Sequence, residues 1–198
     1  MKLLFVADPL DTFKTYKDST FAMMREAASR GHELWACEPQ QVVWQRGSLV
    51  QAQARRITLT GDAQDWYDEQ EQALIALSSM DAVLMRKDPP FDAEYLYATH
   101  LLTQAEREGA RVFNKPQALR EHPEKLAILE FPLHIAPTLV TRSIEAVRAF
   151  HAEHRDIILK PLDGMGGAGI FRVKDDGLNL GSIAETLTRD GSQTIMVQ

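Results

Sequence analysis

The sequence predicts an α/β protein, with a small and mostly parallel sheet in its first half and a second unit built around a glycine-rich loop. Two observations carry this. Apolar, β-rich runs alternate with helical stretches that end on glycine, as at Gly31 and Gly109. The character of the chain then changes around Asn114-Lys115-Pro116. In order, residues 3–7 form a buried strand closed by Asp8-Pro9, and Asp18 or Ser19 caps a helix reaching Arg30. Gly31 supplies the left-handed stop, and residues 33–38 form the second strand. Residues 42–59 contain two β-rich runs about Arg46-Gly47, which predicts a hairpin-like excursion. Residues 65–79 leave helix and strand open, because their acidic, glutamine-rich front has weak apolar periodicity. A short strand over 82–85, a helix over 92–108 and a strand over 111–113 complete the first unit.

Beyond it, short helices are predicted over 117–121 and 123–130, the latter carrying Lys125. A strand follows over 136–141, then a helix capped by Ser143 and ending at His154. The strand 157–160, the glycine loop, the strand 170–173, a helix over 182–188 and a last strand over 194–198 end the chain. The expected units are 1–122 and 123–198.

Composition narrows the function classes. The 198 residues include 44% hydrophobic and 25% charged side chains, which is ordinary for a globular protein able to bury a core. A net charge of −6 argues against a nucleic-acid or anionic-membrane partner. No apolar run approaches the roughly 20 residues that span a bilayer. The N-terminal apolar stretch is also too short for a secretory signal. A single cysteine, Cys37, excludes an internal disulfide and suits a reducing cytoplasm. It stands in the apolar run Leu34-Trp35-Ala36-Cys37, so burial as a small hydrophobe is expected rather than nucleophilic chemistry.

The most informative segment is Ile157-Ile158-Leu159-Lys160-Pro161-Leu162-Asp163-Gly164-Met165-Gly166-Gly167-Ala168-Gly169-Ile170-Phe171-Arg172-Val173. Gly164, Gly166, Gly167 and Gly169 let the backbone approach an anion and turn its N–H groups inward. A dinucleotide fingerprint would open a helix, yet here a β-rich run follows, and no Lys-Ser or Lys-Thr completes a Walker loop. Strand, glycine loop, strand is the arrangement of a flap folded over nucleotide phosphates. Lys160 ends an apolar strand just before the loop, where an anion would offset the cost of burying its ammonium. A strand-end lysine reaching solvent is the competing explanation. Nothing local distinguishes Lys125 from a solvated lysine.

Met85-Arg86-Lys87-Asp88-Pro89-Pro90-Phe91-Asp92, then Asn114-Lys115-Pro116, then Leu159 through Gly167 resemble, in order and spacing, the prokaryotic glutathione synthetase family. The likeness extends along the whole chain. It implies a Rossmann-like pre-ATP-grasp domain followed by the first part of an ATP-grasp domain. It also implies a reaction in which ATP phosphorylates γ-glutamylcysteine and the amine of glycine displaces the phosphate. By position, the resemblance makes Lys125 and Lys160 contacts of the ATP phosphates, and Gly164, Gly166, Gly167 and Gly169 a mobile flap. Gln198 would open the hinge that receives adenine through backbone bonds.

Arg86 becomes the candidate grip on a dipeptide carboxylate, set against simple pairing with Asp88. Asp18 and Ser19 are candidates to face the peptide, set against a plain helix cap. The family extends past the position of Gln198, and its Mg²⁺ ligands are expected there, so this chain alone is expected to form no glutathione. A non-catalytic nucleotide-binding remnant and a ligase for another acid and amine are the alternatives. The resemblance further implies a homo-oligomer for the longer family members.

Overall fold

In the computed structural model, which describes residues 1–198, the first five apolar residues already set the plan. Strand β1 (Lys2–Val6) buries four of its five residues and lies between two parallel neighbours, β2 (Glu33–Cys37) and β6 (Ala82–Met85). A strand covered on both faces needs a nearly continuous apolar run, and Leu3-Leu4-Phe5-Val6 provides it. Strand β7 (Val112–Phe113) extends the parallel set beyond β6.

The other side of the sheet is antiparallel. Strand β4 (Gln51–Leu59) pairs with β2, with the short β3 (Val42–Val43) and, along its length, with β5 (Tyr67–Ala76). The seven-stranded sheet is therefore mixed, which corrects the expectation of a mostly parallel one. The excursion about Arg46-Gly47 is a minor pairing of two residues, and the long hairpin is β4–β5. The stretch left open over 65–79 is mainly this strand, closed by a 3₁₀ turn at Leu77–Ser79.

Helix α1 (Ser19–Ser29) starts where the Asp18 carboxylate accepts the Phe21 N–H at 2.9 Å, and Gly31 at φ 72° ends it. Helix α2 (Ala93–Arg107) is capped in the same way by Asp92, whose carboxylate accepts from Tyr95 N–H. Leu3, Phe5, Met24, Leu34, Ile57 and Trp66 belong to one buried cluster. Phe13 stacks on Trp66 at 5.6 Å, and all three tryptophans and all four tyrosines of the chain lie before residue 98. Helix α3 (Pro116–Glu121) closes this unit, Arg120 donating to the hydroxyls of Thr99 and Thr103 on α2.

The second compact unit comprises 122–198 with residues 89–91. Its sheet is wholly antiparallel, in the order β10 (Phe171–Val173), β9 (Ile157–Pro161), β11 (Ile195–Val197), β8 (Leu139–Thr141). Helices α4 (Ile144–His154) and α5 (Leu180–Thr188) contribute Val147, Leu180 and Ala184 to a core with Ile157, Leu159, Ile195 and Val197. Ser143 caps α4 by accepting from Ala146 N–H at 3.2 Å. Lys125 stands in a turn ahead of the 3₁₀ helix Ala127–Glu130, not on the expected helix. Ala127 N–H bonds to the Pro123 carbonyl, but the bonds that follow, Leu129 to Leu126 and Phe131 to Ile128, span three residues, so the stretch tightens into a 3₁₀ helix.

Candidate functional site

The glycine-rich segment is the connection between β9 and β10, which pair antiparallel. At the end of β9 away from the loop, Arg172 ties the two strands together, its Nε and Nη2 donating to the two carboxylate oxygens of Asp156 at 2.9 and 2.7 Å. This two-pronged bond holds the Asp156 carboxyl below its usual range. Within the loop the glycines divide into two kinds. Gly166 and Gly167 have φ of 63° and 82°, with open space where a Cβ would stand, so they are turn formers. Gly164 and Gly169 instead approach one proline ring: a Cβ would come within 3.1 and 3.3 Å of Pro161 Cγ.

Lys125 reaches this loop. Its ammonium donates to the carbonyl oxygens of Gly164 and Leu162. Lys125 and Glu124, with Pro161 and the loop from Gly164 to Ala168, line a cavity of about 230 Å³. A cation and a glycine-rich backbone thus share one concave surface, and the backbone groups that meet Lys125 there are carbonyl oxygens.

Lys160 and Gln198 meet on the sheet face opposite the helices. The register pairs Val197 with Leu159 on one side and Leu139 on the other. One residue on, Gln198 lies beside Ile158 and Thr138, with its side chain on the face that also carries Lys160. Lys160 Nζ donates to Gln198 Oε1 at 2.6 Å, and Gln198 Nε2 donates to Thr138 Oγ1 at 2.9 Å. Both backbone groups of Gln198 are paired with Ile158, at 2.7 and 3.0 Å, so its backbone is held in the sheet while its amide ties Lys160 to Thr138.

In the first unit, Arg86 follows β6 and places its fork at the start of α1. Its Nη2 donates to Ser19 Oγ at 2.8 Å and its Nε to Thr20 Oγ1 at 3.2 Å. These hydroxyls, rather than Asp88, are its hydrogen-bond partners. Asp18 is the cap of α1, as described, while Ser19 is tied to Arg86. Lys87 pairs with Asp8 at 2.8 Å, and the same Asp8 accepts the Asp88 N–H at 2.8 Å. Partial burial, then the carboxylates of Asp8 and Asp18, push the Asp88 carboxyl up. The cluster lies where β1 and β6 end, the edge at which parallel sheets receive ligands. Thr20 and Thr138 were not singled out from sequence, because each is a hydroxyl that meets its partner only through the fold.

No group of three or more His, Cys, Asp or Glu side chains is arranged to hold a metal ion. No helix is long and apolar enough to cross a membrane.

The prokaryotic glutathione synthetase N-terminal domain matches residues 1–120, and the ATP-grasp domain of prokaryotic glutathione synthetase matches residues 124–198. The glutathione synthetase of Ralstonia nicotianae is 59% identical over 198 residues, covering 100% of this chain and 61% of the relative. That of Nitrosomonas europaea is 54% identical over 202 residues, covering 100% and 62%. The chain thus spans about three fifths of the length of the curated relatives it matches. Among solved structures, a D-cycloserine synthetase aligns with TM-score 0.64 at 18% identity, over 100% of this chain and 59% of that one. D-alanyl-alanine synthetase A from Vibrio cholerae aligns with TM-score 0.59 at 14% identity, over 100% and 58%. At such identities these two speak to the fold alone.

Proposed function

The chain belongs to the prokaryotic glutathione synthetase family, and from that premise we propose that it carries the nucleotide-phosphate and dipeptide-binding parts of an ATP-dependent carboxylate–amine ligase. The reaction is the joining of γ-glutamylcysteine to glycine. The γ-phosphoryl group of ATP passes to the cysteinyl carboxylate, the glycine amine attacks the acyl phosphate, and glutathione, ADP and phosphate leave. A carboxylate is a poor acyl donor until one oxygen becomes a leaving group, so positioning and charge neutralisation do most of the work.

The observation that carries this reading is Lys125 bonded to the glycine loop, with both lining one cavity. Phosphate oxygens would take the place of the Gly164 carbonyl on the Lys125 ammonium, and Lys160 would neutralise a second part of the chain of phosphates. Gly164, Gly166, Gly167 and Gly169 form the flap that keeps water from the acyl phosphate. Gln198, hydrogen-bonded to Lys160, would open the hinge that receives adenine. Arg86 offers its fork to a dipeptide carboxylate, with Ser19 and the Asp18-capped helix start beside it. Functionally we divide the chain into 1–122 and 123–198. Mg²⁺ would neutralise phosphate charge when bound.

A second reading rests on the chain's spanning only about three fifths of its relatives' length: the 198-residue chain by itself binds ATP without turning it over. A reducing cytoplasm suits the lone buried Cys37, and the longer family members are taken to be homo-oligomers. Calorimetric titration with ATP tests the site. Binding should occur, and Lys125→Met or Lys160→Met should each weaken it by about tenfold, the loss of one charge-assisted bond. An affinity indifferent to both substitutions would refute the assignment. ADP release that depends on both γ-glutamylcysteine and glycine would show turnover by the chain alone. Release driven instead by another acid and amine would point to a different ligase.

A further inference from the structure

Thr138 lies in the segment leading into β8, and nothing in the motifs above involves it. Its hydroxyl makes two bonds of opposite sense. Thr138 Oγ1 is 2.7 Å from the carbonyl oxygen of Ala136, and 2.9 Å from Gln198 Nε2. A carbonyl only accepts, so the single hydroxyl proton goes to Ala136. The Thr138 oxygen then has only lone pairs to offer, and the group facing it must be the NH₂ of Gln198. That places the Gln198 carbonyl oxygen at the far end of the amide, 2.6 Å from Lys160 Nζ. An ammonium only donates, so the second constraint agrees with the first. Donation runs one way along four groups, from Lys160 through Gln198 and Thr138 to Ala136.

We propose that Thr138 is a positioning residue for Lys160, acting through the amide of Gln198 to hold the ammonium where a nucleotide phosphate meets it. The proposal rests on the nucleotide site described under Proposed function. Gln198 takes one of the ammonium's three protons, which leaves two for an anion. Without the Thr138 hydroxyl, Gln198 keeps its bond to Lys160 but loses the anchor at its other end. The ammonium then samples more positions, and a bound phosphate bears the cost of ordering it.

Hydroxyl and shape can be separated at this position. Thr138→Val keeps the branched shape and removes the hydroxyl, whereas Thr138→Ser keeps the hydroxyl and removes a methyl. Calorimetry on the 198-residue chain should give ATP affinity about fivefold weaker for Thr138→Val and within about twofold of the parent for Thr138→Ser. Thermal midpoints read alongside establish that both variants fold. In a Lys160→Met background, Thr138→Val should cost nothing further, because the group it positions is gone. The opposite order, with serine impaired and valine silent, would assign Thr138 to packing and overturn the proposal. Equal losses with and without Lys160 would overturn it as well. Failure of the unsubstituted chain to bind ATP would instead remove the nucleotide reading and this proposal with it.

Discussion

At the scale of single residues, the loop glycines serve two different ends. Gly169 combines φ 70° with a Cβ direction that meets Pro161 at 3.3 Å, while Gly166, at φ 63°, faces open space. Gly169→Ala should therefore cost about 2 kcal/mol and Gly166→Ala about 1 kcal/mol of stability, measured by urea unfolding. Cys37 gives a pH signature. Burial first, then the neighbouring Glu38 carboxylate, push its thiol from 9.0 up to about 12. The folded state holds the proton longer than the unfolded state. Stability linked to this group is thus complete below pH 9 and lost as pH rises towards 12. The slope should be roughly 1.4 kcal/mol per pH unit in that window, and Cys37→Ala should abolish it in alkaline unfolding series. Burial of Cys37 was legible from its apolar neighbours. The role of Thr138 was not, because a bond to a residue 60 positions away leaves no local mark. Lys125 was marked only by family likeness, since the carbonyls it reaches come from a loop 37 and 39 residues further on.

At the scale of elements, α1, α2 and α4 were legible because their ends announce themselves. Asp18, Asp92 and Ser143 each accept a backbone N–H three residues on. Asp18→Ala should cost about 1 kcal/mol in thermal unfolding, the usual worth of such a cap, whereas Asp18→Ser should restore most of it. Strand β5 was illegible for the converse reason. As the outer strand beside β4, it exposes residues 68–72 without alternation, so the acidic run Asp68-Glu69-Gln70-Glu71-Gln72 shows no period of two. Its charges are consistent with an edge that must not recruit further strands. The sheet was expected to be mostly parallel because two strand–helix–strand passages suggested crossovers, but the β4–β5 hairpin adds its strands the other way round.

At the scale of the molecule, the two units keep separate apolar cores, one around Phe5 and Met24, the other around Leu159 and Ile195. The phosphate-type site belongs wholly to the second, and the Arg86–Ser19 pair wholly to the first. If ATP binds as proposed, a concentration of about 100 times its dissociation constant should add about 2.7 kcal/mol to the stability of the unit that binds it. The placement of the aromatic residues makes the two halves optically unequal. Trp35, Trp44 and Trp66, with every tyrosine, belong to the first unit, and residues 122–198 contain phenylalanine as their only benzenoid side chain. Intrinsic emission is therefore a private channel of the first unit. A single tryptophan introduced at Phe171, beside the glycine loop, would give the second unit a colour of its own, and any change in the native emission on adding ATP would be a message from the domain that does not hold the phosphates.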